Sequence, residues 1–228
     1  MNIRDNYKFI EDRVAEAALR SGRKPESVRI IAVSKTFPYE VVQNAVDAGV
    51  FLFGENKVQE AKSKIPNLSG NFVFHMIGHL QSNKARDAVA LFDLIHSIDS
   101  SSTAERVNIE AQKIGKTQKI LIQVNTLGET TKNGAESDEA IRLAEKCLAM
   151  ENIELLGFMN IGPLSDDMTL IRKSFIKTRE ILERTNNLLK ASIKELSMGM
   201  STDFETAIEE GATMVRVGSM IFGERSYT

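Results

Sequence analysis

Lys35 closes a short apolar run, Arg29-Ile30-Ile31-Ala32-Val33-Ser34-Lys35, and Thr36-Phe37-Pro38 reads as the turn that follows it. An ammonium is costly to bury unless it is paired, neutralised or made covalent. An amine delivered to the end of a buried strand therefore suits carbonyl capture as a Schiff base. The competing reading is a strand-end lysine that snorkels to solvent. Two late segments carry a different chemistry. Ser197-Met198-Gly199-Met200-Ser201-Thr202 and Gly218-Ser219-Met220-Ile221-Phe222-Gly223 combine glycines, which let a backbone come close, with serine hydroxyls. Neither contains Lys or Arg, so amide N–H groups and hydroxyls would have to hold an anion such as a phosphate. Ordinary turns and helix caps use the same residues. Arg216 stands two residues before Gly218. Strand alternation puts Met214, Arg216 and Gly218 on one face, as it puts Ile31, Val33 and Lys35 on one face of their own strand. A buried arginine keeps its proton. Arg216 would donate to a ring nitrogen, or else pair with an acid such as Glu205 or Glu224.

Other polar residues carry weaker signals. His75 and His79 are four apart, but on a strand and its exit loop, whereas metal pairs at that spacing use a helix. No metal is expected. His79 could face a site at the strand ends, while His75 and His96 read as structural. In Gly54-Glu55-Asn56-Lys57, Asn56 fits a ligand contact or a helix cap equally well. Cys147 shares an amphipathic face with Ile141, Ala144 and Leu148 and should pack there.

These residues need a frame, and hydrophobic periodicity supplies one. A helix over Ile3 to Ser21 buries Ile10, Val14, Ala17 and Ala18 and stops at Gly22. Strands are expected at Arg29–Ser34, Val50–Phe53, Phe72–Ile77, Asp93–Ser97, Lys119–Asn125, Ile153–Met159, Ser192–Ser197 and Thr213–Val217. Helices fall between them: Tyr39–Asp47, Asn56–Lys64, one opened by Ser82 and reaching Leu91, one capped by Ser101 or Ser102 and stopping at Gly115, one from Ser137 to near Met150, Met168–Lys190, and a short one capped by Thr202 or Asp203 and ending at Gly211. A short helical turn follows the last strand. Eight strands, each followed by a helix, match a closed (β/α)8 barrel of TIM type with an extra N-terminal helix. The competing architecture is an open doubly wound sheet. In such a barrel, ligand chemistry sits at the C-terminal ends of the strands, and phosphate sites favour the loops after strands seven and eight.

Composition agrees with a globular protein. The chain has 228 residues, of which 42% are hydrophobic and 26% charged, enough for one barrel spanning residues 1–228 with residues 1–24 packed on it. Lys+Arg 29 against Asp+Glu 31 gives a net charge of -2, which offers no basic surface for nucleic acid. With Cys147 alone, no intrachain disulfide forms. The charged N-terminus and the absence of a long apolar stretch predict neither signal peptide nor membrane span, so the cytoplasm is the expected compartment.

Five motifs in order carry a family resemblance. They are Ala32-Val33-Ser34-Lys35-Thr36, Phe53-Gly54-Glu55-Asn56-Lys57-Val58-Gln59-Glu60, Ile77-Gly78-His79-Leu80-Gln81-Ser82-Asn83-Lys84, Ser197-Met198-Gly199-Met200-Ser201 and Val215-Arg216-Val217-Gly218-Ser219-Met220-Ile221-Phe222-Gly223. From about Ile30 to Arg225 the chain resembles the pyridoxal phosphate homeostasis proteins, single-domain barrels similar to the N-terminal domain of bacterial alanine racemase. The resemblance implies that Lys35 forms the internal aldimine with pyridoxal 5'-phosphate. It implies that Arg216 faces the pyridine nitrogen, that Ser201, Gly218 and Ser219 hold the phosphate, and that Asn56 and Met159 line the site. The phosphate would then dock at the rim opposite the amine. One departure stands out: the family commonly has proline where this chain has His79.

The racemases of this fold use a second domain that supplies an opposing acid/base group, whereas this chain ends at Thr228, soon after its eighth strand. Lys35 could supply one base, and no second is legible. A pyridine facing Arg216 would stay unprotonated and be a weaker electron sink. The expected role is a carrier or regulator of pyridoxal phosphate supply, with weak or no catalysis. Apo pyridoxal-phosphate enzymes are candidate recipients, and a monomer is the expected state. The alternative is a single-domain pyridoxal-phosphate-dependent amino-acid racemase or isomerase. A third reading is an aldolase-type barrel whose Lys35 binds a sugar-phosphate carbonyl directly.

Overall fold

The computed structural model describes residues 2–127, 133–163 and 165–223. Eight short strands run β1 Arg29–Val33, β2 Leu52–Glu55, β3 Val73–Met76, β4 Leu94–Ile98, β5 Gln118–Val124, β6 Ile153–Asn160, β7 Glu195–Ser197 and β8 Met214–Val217. Each pairs in parallel with the next, and β8 returns to β1, which closes the barrel. The helices are α1 Ile3–Arg20, α2 Tyr39–Asp47, α3 Val58–Lys64, α4 Ala85–Leu91, α5 Ser101–Lys113, α6 Ser137–Leu148, α7 Met168–Leu189, α8 Phe204–Glu209 and α9 Ser219–Phe222. This is the (β/α)8 barrel with an added N-terminal helix. Among the described residues no helix is long and apolar enough to cross a membrane.

Both strand faces are buried, as a parallel sheet requires. Outward-facing side chains such as Ala32, Phe53, Ile95 and Val217 join the ring helices in one large core, while Ile31, Leu52, Leu94, Leu121, Met159 and Met214 fill the barrel interior. The final helix α9 is a single turn, too short to cover the barrel wall. Helix α1 makes up for it by packing against α8 and α9 and touching α2. Asn2 caps it by accepting from the Asp5 amide at 2.9 Å. Its inner stripe Ile10, Val14, Ala17 and Ala18 is buried. Its polar edge is tied to the last ring elements: Arg13 Nε donates to Glu205 Oε1 at 2.9 Å, and Arg23 Nη1 to the carbonyls of Ile208 and Ala212 at 3.1 and 2.8 Å.

Several boundaries differ from the periodicity reading, each because a backbone donor is already engaged. Strand β2 starts at Leu52 rather than Val50, because the Val50 amide donates back to Ala45 in the C-terminal turn of α2, where Gly49 takes φ +97°. Strand β7 starts at Glu195 rather than Ser192, and the Ile193 amide is held by Asn186 Oδ1 at 3.0 Å. Ser100, not Ser101 or Ser102, caps α5 through the Thr103 amide. Ser82 opens a 3-10 turn over Ser82–Lys84 before α4. Asp203 sits at the N-cap of α8 but turns its carboxylate backwards onto the Met200 amide at 2.6 Å.

Two irregularities set which side chains face inward. Between β5 and β6 the register slips, so that Ile120 pairs with Leu155 but Leu121 pairs with Gly157. The extra residue is a β-bulge that turns both Leu156 and Met159 toward the interior. A second slip between Ile95 and Ile98 of β4 spans His96. At Gly157 the neighbouring strand comes so close that a Cβ would lie 1.9 Å from the Glu195 carbonyl oxygen. Gly157→Ala should therefore push β6 and β7 apart and cost on the order of 3 kcal/mol in denaturant unfolding, whereas Gly22→Ala, with open space around it, should lose only the left-handed-conformation penalty of about 1 kcal/mol.

Candidate functional site

Lys35 lies half-buried in the turn that leaves β1. Ile31 pairs with Arg216 and Ala32 with Val217, so the turns leaving β1 and β8 stand side by side at the C-terminal rim. The Gly218 amide donates to Ser201 Oγ at 3.5 Å, and Ser219 Oγ lies 3.5 Å from the same hydroxyl. Ser201, Gly218 and Ser219 thus form one cluster, and it borders the Lys35 strand. The cluster therefore stands beside the Lys35 turn and not across the mouth from it, because in a closed barrel the eighth strand is the first strand's neighbour. The loop before α8 can bend this way because Gly199 takes φ +90°, with the space beside it already filled by Phe204 and Ala207. Its carbonyl accepts from the Arg216 amide at 3.0 Å, which fastens the Ser201 loop to β8.

Met159 is fully buried and points into the barrel with Ile31 and Met214. Asn56 is half-buried just past β2. It does not cap α3, whose N-cap is Lys57 with no side-chain bond. Gly78 packs directly on Asn56, since a Cβ there would be 2.2 Å from the Asn56 carbonyl oxygen. The exits of β2 and β3 are therefore in contact. His79, in place of the expected proline, places Nδ1 3.3 Å from Asp99 Oδ2 and borders a cavity of about 380 Å³ beside Asn56. Among the described residues no group of three or more His, Cys, Asp or Glu is placed to hold a metal ion.

The backbone on both sides of Lys35 is held from behind. Ser34 Oγ donates to Glu55 Oε1 at 2.8 Å. Lys64 Nζ donates to the Ser34 carbonyl at 2.9 Å and to Glu55 Oε1 at 2.7 Å. The Thr36 amide donates to Glu60 Oε2 at 2.9 Å. Thr36 sits in the left-handed region, φ 69°, which costs a non-glycine residue about 1 kcal/mol. The Glu60 bond offsets that cost and fixes the direction in which Lys35 leaves the strand. Burial raises the Glu55 pKa against the pull of Lys64 and Ser34. Burial also pushes Glu60 upward, but the Thr36 amide and Lys64 outweigh it and leave that group below its usual value. Periodicity reasoning missed Lys64, although a signal was present: Val58, Ala61 and Lys64 recur three apart on the buried face of α3.

Arg216 is buried inside the barrel. Its Nη1 donates to Ser197 Oγ at 2.7 Å and its Nη2 to the Asn160 carbonyl at 2.8 Å. Asn160 is itself fixed, since its Nδ2 donates to Thr178 Oγ1 at 2.9 Å and to the Ser174 carbonyl at 3.2 Å on α7. Glu205 is not the arginine's partner, because it pairs with Arg13 and Arg20 of α1. Glu224 lies outside the described residues. Burial lowers the Arg216 pKa to about 10, with Asp203 acting the other way, so the guanidinium stays charged at neutral pH. Among the described residues, two of its five N–H donors are engaged by protein.

From Arg216 a chain of hydrogen bonds continues down the barrel. Ser197 Oγ is 2.9 Å from His96 Nδ1, and His96 Nε2 is 3.0 Å from His75 Nδ1. Donor counting gives the chain a direction. Arginine only donates, so Ser197 accepts from it and turns its own hydrogen to His96 Nδ1. His96 then carries its hydrogen on Nε2 and donates to His75 Nδ1, and His75 carries its hydrogen on Nε2. The opposite polarity would leave the buried Ser197 hydroxyl hydrogen without an acceptor. Burial pushes the His75 pKa down to about 3, helped by Arg29 and Lys119. It also pushes His96 well below its ordinary value, helped by His75 and Arg216.

Two outcomes follow from this wiring. Lys64→Met leaves Glu55 buried without its cation and should cost roughly 3–5 kcal/mol, whereas Lys64→Met combined with Glu55→Met should recover much of the loss; denaturant unfolding of both variants measures it. Both histidines have folded pKa values below their unfolded ones, so between about pH 6.5 and 3 the unfolded chain binds protons that the native chain does not, and stability falls as pH falls through that window. His75 should contribute about 2 kcal/mol to the difference in unfolding free energy between pH 7 and pH 5, His96 should act in the same direction, and His75→Gln should remove the His75 share of that slope.

The alanine racemase N-terminal domain model matches residues 2–226. A pyridoxal phosphate homeostasis protein from Aquifex aeolicus is 38% identical over 228 residues, covering 100% of both chains. The protein of that name from Escherichia coli K12 is 36% identical over 233 residues, covering 100% of this chain and 98% of its own. Among solved structures, PipY of Synechococcus elongatus with pyridoxal phosphate bound superposes with a TM-score of 0.84 at 37% identity, over 94% of this chain and 100% of PipY. Clostridium difficile alanine racemase shares the fold, with a TM-score of 0.75 at 16% identity, over 97% of this chain and 57% of the racemase. A closed barrel, a lysine at the exit of β1, a glycine–serine cluster beside it and full-length identity to these relatives lead to one assignment: the chain belongs to the pyridoxal phosphate homeostasis protein family.

Proposed function

We propose that this protein binds pyridoxal 5'-phosphate at the C-terminal mouth of the barrel and acts in intracellular pyridoxal phosphate homeostasis, holding and releasing the cofactor rather than catalysing amino-acid chemistry. Lys35 would take the aldehyde as a Schiff base. The observation that carries this reading is the shared rim: one amine, held in direction from both sides, next to the Ser201–Gly218–Ser219 cluster. The relatives named for pyridoxal phosphate homeostasis, and the ligand bound in PipY, support the choice of aldehyde.

The remaining groups fit the same ligand. The cluster offers hydroxyls and amides, and the segments 197–202 and 218–223 contain no Lys or Arg, which suits a phosphate that must leave again. The free N–H donors of Arg216 suit an unprotonated ring nitrogen. Met159 would supply an apolar wall and Asn56 a polar contact near the ring. When bound, pyridoxal phosphate supplies an electron sink, and a guanidinium donating to its ring nitrogen weakens that sink. That is the residue-level reason for assigning storage and delivery rather than racemization, and apo pyridoxal-phosphate enzymes are the proposed recipients.

Borohydride reduction of the cofactor-loaded protein followed by peptide mass mapping should find the adduct on Lys35, and Lys35→Ala should abolish the visible absorption band; attachment at another lysine would overturn the assignment. Transfer to an apo-enzyme acceptor should run faster than spontaneous loss into buffer, while rapid α-carbon deuterium exchange of free amino acids would favour an isomerase instead.

A further inference from the structure

At the opposite pole from Lys35, a second cavity of about 550 Å³ opens between α1 and the N-terminal ends of β1 to β3. Its size is that of a small-molecule site. Its walls include Val14 and Ala15 of α1, Phe51, Leu52 and Val73. His75 also lines it, although His75 is only 5% exposed. The Nδ1 of His75 is taken by His96. Its Nε2 has no protein partner among the described residues, and unlike Glu55 Oε2, Ser97 Oγ and Gln118 Oε1 it is not a fully enclosed unpartnered atom. The polarity of the Arg216–Ser197–His96–His75 chain assigns the hydrogen to that nitrogen. The cavity therefore presents the His75 ring N–H at its inner end among Val14, Leu52 and Val73, with the Tyr7 hydroxyl and charged side chains also in its lining.

The two cations in the lining are each paired with a carboxylate. Arg29 Nη2 lies 2.5 Å from Glu195 Oε2, and Lys8 Nζ lies 2.9 Å from Asp12 Oδ1. Glu11 and Glu26 add negative charge to the lining. An anion would meet more carboxylates than cations in this lining, and a hydrocarbon would leave the His75 donor unmet. We infer that this cavity is a second small-molecule site, separate from the mouth, that takes an uncharged flat carbonyl compound whose oxygen accepts from His75 Nε2–H.

Benzamide is a suitable probe, with benzoate and toluene as the charged and acceptor-free controls of similar shape. In ligand-observed NMR with the full chain, benzamide should bind saturably with a Kd on the order of 1 mM, and both controls about tenfold or more weaker. In the unmodified protein the His75 Nε2 resonance should shift as benzamide is added. Ala15→Trp, which fills the cavity from α1, should remove benzamide binding while pyridoxal phosphate uptake continues. Toluene binding as tightly as benzamide, a His75 signal that does not respond, binding that survives Ala15→Trp, or no saturable binding at all would each overturn the inference. These readouts do not depend on Lys35, so failure here leaves the cofactor assignment untouched, and the reverse also holds.

Discussion

A guanidinium placed inside a parallel barrel must be solvated by the protein, and the way Arg216 is solvated organises much of this molecule. Barrel interiors are ordinarily filled by branched apolar side chains in layers. Here β3, β4, β7 and β8 each give up an inward position to a polar residue, and the four side chains satisfy one another in series. The charge of Arg216 is met by neutral oxygens, Ser197 Oγ and the Asn160 carbonyl, rather than by a carboxylate. A carboxylate in direct contact would have claimed the fork of the guanidinium and left fewer donors facing any ligand. The cost of burying an unpaired cation is spread over two strands, the bulge in β6 and the hydroxyl set on α7 that fixes Asn160.

The second buried cation, Lys64, solves a different problem. It lies outside the barrel wall, between β1, β2 and α3, and is closely paired with Glu55. Its bond to the Ser34 carbonyl and the Glu60 bond to the Thr36 amide grip the residues immediately before and after Lys35. Precision at the reactive amine thus comes from main-chain restraint supplied by the layer behind it. Lys64 is the fixed counterion of Glu55, and Lys35 leaves the turn at the exit of β1.

Much of this was legible from periodicity alone, and the limits are instructive. The eight strands, their order and the inward face of β1 and β8 follow from alternation, because a closed parallel barrel tolerates no other arrangement of such short apolar runs. The grouping of Ser201, Gly218 and Ser219 follows from position at the ends of adjacent strands. The strand starts at Leu52 and Glu195 were not legible, because they depend on which amides Ala45 and Asn186 have already claimed. Met159 could be named only through resemblance. A strict two-residue alternation carries the parity of Ile153 and Leu155 through β6, and only the bulge at Leu156–Gly157 moves Met159 into the barrel with Ile31 and Met214. His75, His96 and Ser197 were visible one at a time as strand residues. That they form one directed series is a property of closure, since β4 and β7 are far apart in order and meet only across the interior.

The same series also fixes which protonation states are available below the mouth. Proton transfer at a substrate carbon needs a group whose pKa lies near the working pH and which can reach the reacting atom. His75 and His96 are held neutral by burial, with His75 down at about 3, and both nitrogens of His96 and Nδ1 of His75 are engaged in the series that ends on Arg216. Arg216 itself stays protonated at neutral pH, so it can donate a hydrogen bond but offers no lone pair to act as a base. The polar groups below the mouth are therefore locked in single protonation states that position rather than exchange protons. Below the mouth, then, the buried donors and acceptors fix orientation, and Lys35 stands above them at the exit of β1.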